Sequence, residues 1–264
     1  MRANAFRGDR KRPRGKGGLA ALQAKIADEL DALLPAVLGR LSKEKCQMTF
    51  SSQSEPELDK RNLALALIQV VQMWSNPRYQ LFLNCAQPGE LTDDWFSWFV
   101  GAWNVARNTK DGRKTEVRKY LDCEFRQALS VEDPAECVDD TALHIQRQGW
   151  TSRGCFPVSL VSKVGFFLRP DRLVPLDRFS TQGLNLLRAV NGGGKLKRKS
   201  YKAYLNAFDE EYAYWERQLE QGLSEPWVVE MADRLGCPRV ALSSVAMRRK
   251  VFDDYPMHTG GYGA

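Results

Sequence analysis

The sequence predicts a mainly α fold. Three observations carry that reading. Apolar residues recur every three or four positions through long stretches, as in Tyr201, Tyr204, Phe208, Tyr212, Trp215 and Leu219. Residues that cap helices stand just before such stretches, at Thr92, Asp133, Asp177 and Ser200. Strand signals are sparse throughout the 264 residues.

The elements follow in order. Residues 1–18 hold seven Arg or Lys against Asp9 and almost no apolar side chains, which predicts a disordered basic tail. From Leu19 to Leu41, the apolar positions Leu22, Ile26, Leu30, Leu33 and Leu34 share one helical face, with a kink or break at Pro35. Ser42 to Pro56 reads as loop. Glu57 to Trp74 is dense in Leu, Ile and Val and reads as a buried helix, ended by the turn at Asn76 and Pro77. Arg78 to Cys85 is amphipathic but too short for its type to be assigned, and Gln87 to Gly89 forms another turn.

Thr92 caps an expected helix over Asp93–Ala106, with two acids in its first turn and a crowd of rings: Trp95, Phe96, Trp98, Phe99 and Trp103. Such crowding predicts core packing rather than a ligand cage. A charged helix over Thr115–Leu129 follows. The next starts at Asp133 with Pro134 in its first position and runs to about Gln148. After a turn over Gly149–Gly154 come an apolar helix, a proline stop at Pro170, an extended link and a helix opened by Asp177. Asn191–Ser200 is a glycine-rich basic loop without the spacing of a P-loop. Ser200 opens a long helix to Leu219. A short helix with Pro226 in its first turn ends at Gly236, and a last one runs from Ala241 to Tyr255. The expected domain spans 19–264, divisible into lobes at about 19–150 and 151–264.

The chain's formal charge of +7 is unevenly spread. Residues 1–18 contribute +6, and residues 153–202, with eleven cations against Asp171 and Asp177, contribute +9, so the remainder is net acidic. A basic tail and one basic segment on an acidic body form the electrostatic footprint of a polyanion-binding face. No apolar run reaches the ~20 residues of a membrane span, so no membrane partner is expected. The six cysteines form no CxxC pair and the two histidines lie far apart, so no metal and no cofactor is expected. Scattered thiols in a chain of this size predict a reducing, cytoplasmic location, nucleoid-associated in a bacterium.

The stretch Pro157–Phe179, PVSLVSKVGFFLRPDRLVPLDRF, concentrates the chemistry. Leu160, Val161, Val164, Phe167 and Leu168 form the apolar face of its first helix. Ser162 falls opposite that face, and Lys163 at its edge, where the stem of an amine can lie along apolar side chains. Asp177 stands where an N-cap carboxylate meets backbone N–H groups and the helix dipole. On these residues alone, Asp177 can equally be a cap and Lys163 its ion-pair partner.

This stretch resembles the helix-hairpin-helix DNA glycosylases, most closely the 8-oxoguanine branch. The residues that carry the likeness are Ser162–Lys163, the apolar helix after them, Pro170–Arg172 and Val174–Asp177. It departs from the family in having Val158, Ser159, Leu160 and Val161 where glycines usually precede the lysine, so a cation held by the hairpin is not implied.

The resemblance implies a helical domain with a helix-hairpin-helix-like element and a base-excision activity on damaged or modified DNA. A flipped nucleotide in duplex DNA would be the substrate. It implies Lys163 as the nucleophile at C1′, acting as a neutral amine, with a Schiff base leading to strand cleavage. Asp177 would steady the cationic sugar and orient or deprotonate Lys163. Ser162, Arg153, Arg169, Arg172, Arg178, Lys195 and Lys197 are the expected DNA contacts. Trp150, Phe179 and Phe252 are the expected base-pocket residues. Two other readings remain open at this point: a helical DNA-binding or adaptor protein without catalysis, in a defence system for instance, and a helical RNA-binding module.

Overall fold

Helix follows helix wherever a capping side chain meets an apolar stripe, and the computed structural model is mainly α. It describes residues 58–83, 89–196 and 200–259. The chain divides between Gln53 and Ser54, and these residues fall in the second unit. The expected tail over 1–18, the helix from Leu19 and the loop to Pro56 lie outside the described residues, as does Lys197. Among the described residues there is no strand, and no helix long and apolar enough to cross a membrane.

Helix α1 (Lys60–Ser75) opens at Asp59, whose carboxylate accepts the Asn62 amide. Leu67, Val70, Val71 and Trp74 on it are buried, as its dense apolar content predicts. Helix α2 (Pro77–Leu83) follows, and α3 (Asp93–Ala102) starts where the Thr92 hydroxyl accepts the Trp95 amide. The expected helix to Ala106 stops four residues early, because Asn104 takes a left-handed φ of 51° that an α-helix cannot contain. The charged segment forms α4 (Lys114–Tyr120) and α5 (Arg126–Val131), joined by a π-helical turn over Leu121–Phe125. Asp133 and Pro134 open α6 (Pro134–Arg147) in the expected way.

The apolar helix is α7 (Val158–Leu168), and α8 (Arg178–Val190) begins at Asp177. Ser200 opens α9 (Tyr201–Leu223), and Gly236, at a left-handed φ of 70°, closes α10 (Pro226–Leu235). The expected last helix is broken in two, α11 (Arg239–Leu242) and α12 (Val245–Thr259). Hydroxyls make the break, since Ser243 and Ser244 hydrogen-bond back to Val240 and Ala241 in place of continuing the ladder.

Helix α12 is the centre of the packing and lies against α1, α8, α9 and α11. Gly183 lets α8 and α12 come close: a Cβ there would stand 2.4 Å from the Cβ of Pro256. On the other side, α7 packs on α6 and α2. Every residue from Leu160 to Leu168 is buried, so α7 is an interior helix with no solvent face. The ring-rich α3 packs as core around it. Phe167 contacts the rings of Tyr79, Phe82, Trp95, Phe99 and Trp103, with centroids 5.1–6.1 Å apart.

Candidate active site

Asp177 is fixed first by its backbone. Leu173–Leu176 runs extended and buried between α7 and α8 with no strand beside it, so its polar groups must find side chains. The Tyr201 hydroxyl serves both groups of Val174, accepting its N–H at 3.0 Å and donating to its carbonyl at 2.7 Å. The Ser162 hydroxyl accepts the Leu176 N–H at 3.0 Å. Arg249 donates to the Arg172 carbonyl at 3.1 Å. Asp177 then caps α8, with Oδ1 accepting the amides of Phe179 at 2.9 Å and Ser180 at 3.0 Å and the Ser180 hydroxyl at 3.2 Å.

The other carboxylate oxygen, Oδ2, lies 3.2 Å from Lys163 Nζ. The two side chains, fourteen positions apart in sequence, therefore meet. Lys163 is almost wholly enclosed, with 8% of its side chain exposed, while Asp177 keeps 28%. The pair is thus reached from the aspartate's side. Nζ also donates to the Trp103 carbonyl at 3.4 Å and stands 5.5 Å from the centre of the Trp103 indole, a cation–π contact. Burial pushes the Asp177 carboxyl up, but Lys163 and the amides of Ser180 and Phe179 outweigh it and hold the group below the ordinary aspartate value.

A second buried charge cluster lies next to the first. Lys250 on α12 bonds Asp253 Oδ2 at 2.8 Å and also Asp254, and all three are buried. Lys250 Nζ stands 6.0 Å from the same Trp103 indole. Burial is the main influence on Lys250 and lowers it, yet the two carboxylates more than reverse this and hold the ammonium form. Asp253 moves the other way: burial pushes it up to about 6, against the pull of Lys250. The sequence reading missed this cluster. Its only signal was one lysine with acids three and four residues on, a spacing ordinarily found on exposed helix faces.

Beside the α7–α8 link is a cleft of about 340 Å³, lined among others by Phe156, Ser159, Leu176, Thr181, Ser200 and Tyr204. Leu176 and Thr181 flank Asp177 in the chain, which places the cleft mouth close to the pair. Its walls mix rings with hydroxyls, the composition expected of a pocket for a flat polar ligand.

The remaining expected site residues divide into three groups. Arg153, Arg172, Arg178 and Lys195 are exposed, and Arg153 stands at a left-handed φ of 55° in the turn before α7. Arg169 is half-buried and tied inward, to the Leu129 carbonyl at 3.0 Å and to Asp171 at 3.3 Å, so it is not a free phosphate contact. Ser162 and Phe252 need correction. Ser162 has no exposed surface and its hydroxyl holds the link, so it cannot touch DNA here. The apolar face of α7 covers the whole circumference, which leaves nothing for Ser162 to be opposite to. Phe252 is fully buried against Phe208 and Tyr212 at 5.2 and 5.8 Å, and is core.

Trp150 is half-buried in a separate aromatic group with Tyr120 and His144, and does not line the cleft. Phe179 is 43% exposed beside Asp177 in the chain and is also absent from the cleft wall. Phe156, 40% exposed, is the ring found in that wall. Comparison of the chain with protein families, with curated proteins and with solved structures gives no match.

Proposed function

We propose that the chain is a DNA glycosylase with AP-lyase activity, removing a damaged or modified base of the 8-oxoguanine kind through Lys163. One observation carries the reading: a buried amine and a helix-capping carboxylate 3.2 Å apart, open to solvent on the carboxylate side and beside a cleft. An amine attacking a glycosidic carbon needs a carboxylate within reach, to take or steer its proton and then to face the cationic sugar.

In this reading α6, the turn over 148–157 and α7 form the hairpin element, and α8 brings the aspartate. The turn is glycine-assisted, with left-handed φ at Gly149 and Gly154 on either side of exposed Arg153, a shape that lets backbone approach a phosphate. Arg172, Arg178 and Lys195 extend the cationic rim. A nucleotide flipped from the duplex presents C1′ to Lys163. The amine's lone pair forms the C1′–N bond as the glycosidic bond breaks, and its electrons leave with the base, which is then protonated. Opening of the sugar gives the Schiff base, and loss of a C2′ proton expels the 3′ phosphate.

A competing reading, a non-catalytic helical DNA binder, draws on the same contacts. An amine held by a carboxylate, a carbonyl and an indole can serve as an internal tie. Borohydride trapping across a panel of modified duplexes and single strands separates the two. The glycosylase reading predicts a covalent protein–DNA adduct with wild type that Lys163→Ala abolishes. Equal trapping by both proteins removes Lys163 from the chemistry. DNA affinity with steep salt dependence but no base release from any substrate selects the binder.

A further inference from the structure

A buried carboxylate that takes no part in the steps above is linked to the pair by side chains. Asp177 Oδ1 accepts the Ser180 hydroxyl at 3.2 Å, Ser180 hydrogen-bonds Tyr204, and the Tyr204 hydroxyl donates to Asp253 Oδ1 at 3.4 Å. Ser180, Tyr204 and Asp253 are all buried, so the chain runs through dry interior from α8 across α9 to α12.

Lys163 faces a difficulty that this chain answers. Paired with a carboxylate it is an ammonium, and it must lose a proton before it can attack. Its direct partner is a poor acceptor. Asp177 already takes three hydrogen bonds on Oδ1 alone, and a carboxylate so loaded gives up little of its charge to a proton.

We propose that Asp253 is the positioning residue that receives the proton Lys163 must shed, acting through Asp177, Ser180 and Tyr204. The inference rests on the glycosylase reading. The balance is simple: Lys163 goes from ammonium to amine, Asp253 from carboxylate to acid, and each group between passes one proton on and receives one. When Lys163 is released from the DNA, its amine takes the proton back and the pair is reset.

The groups facing Asp253 come from several elements. Lys250 and Asp254 stand on its own helix, Tyr201 and Tyr204 on α9, and Asp177 at the start of α8. Trp103 and Tyr79, which face Lys250, close the cluster from α3 and α2. Of the two carboxylates on this chain, Asp253 holds a proton more readily than Asp177, since burial raises it while Asp177 is held low.

The test uses the full chain, a duplex that wild type processes, and single-turnover base release across pH 5 to 8. Tyr204→Phe keeps the ring in the core and removes only the hydroxyl. With wild type the rate should rise through about pH 6 and then level, as Asp253 becomes available as an acceptor. With Tyr204→Phe, and with Asp253→Asn, that limb should vanish and the plateau fall at least ~10-fold, with the DNA concentration for half-saturation unchanged. A wild-type rate and pH profile in Tyr204→Phe would overturn the inference. A second arm needs no DNA: carboxyl-carbon NMR of the free protein, with Asp253→Asn for assignment, should show Asp253 titrating between pH 5 and 7. A resonance that stays still over that range overturns the proposal whether or not any base is released. Failure of wild type to release a base from every duplex would instead count against the glycosylase reading.

Discussion

Asp177 has two jobs, capping α8 and balancing the charge of Lys163, and replacing it with asparagine separates them. Asparagine caps a helix about as well as aspartate, so the bonds from the Phe179 and Ser180 amides survive in Asp177→Asn. What disappears is the negative charge 3.2 Å from a lysine with 8% of its side chain exposed. Breaking a fully buried pair costs about 3–5 kcal/mol. Water reaches the Asp177 side, so a cost of about 2–3 kcal/mol is expected here. Asp177→Ala loses the cap as well, for about 1 kcal/mol more. Lys163→Met placed on Asp177→Asn removes the orphaned charge and should restore most of the loss, a coupling of about 2 kcal/mol. Urea unfolding followed by tryptophan fluorescence measures all four proteins, with the m-value checked for constancy. If Asp177→Asn lies within about 0.5 kcal/mol of wild type, the charge pairing argued here does not exist in solution.

Three further outcomes are expected. Asp253 is raised on folding to about 6, so it favours the folded state most below pH 4 and loses that contribution as pH rises through 6; stability should fall across this window by at most about 3 kcal/mol, and not in Asp253→Asn, in pH-dependent denaturation. Asp177 is shifted the opposite way, so its contribution is present at neutral pH and is lost only below the ordinary carboxylate range. Gly183→Ala should destabilise by about 1–3 kcal/mol or more, because the new methyl meets Pro256 backbone atoms 2.9 and 3.1 Å away, and thermal unfolding would reveal it. Arg178→Ala should weaken duplex binding evenly across sequences and lower the salt slope by about one, as measured by titrations at several salt concentrations.

What the sequence disclosed about the fold was whatever depends on neighbours along the chain. Thr92, Asp133, Asp177 and Ser200 cap helices as their positions predict, because a cap needs only a short side chain and the next amides. The meeting of Lys163 with Asp177 was legible through the resemblance and its spacing, since spacing alone allowed a plain cap. Three-dimensional neighbours were not legible. Ser162 reads as a polar face until α6 and α2 are seen to enclose α7. Phe252 reads as a pocket ring until α12 is seen to be central. Lys250, Asp253 and Asp254 carry the pattern of an exposed ion pair and are buried only because α1, α8 and α9 close over them.

The link that carries Asp177 has its amides and carbonyls tied to hydroxyls of the core, from Ser162 and Tyr201. Such an anchor makes the carboxylate preorganised: its place is set before any partner arrives. In this geometry adaptation must come from the nucleic acid. A substrate whose target base resists leaving its stack would be refused, however well its groups suited the cleft. Selection would then act partly on how easily a duplex deforms, ahead of any reading of the base itself.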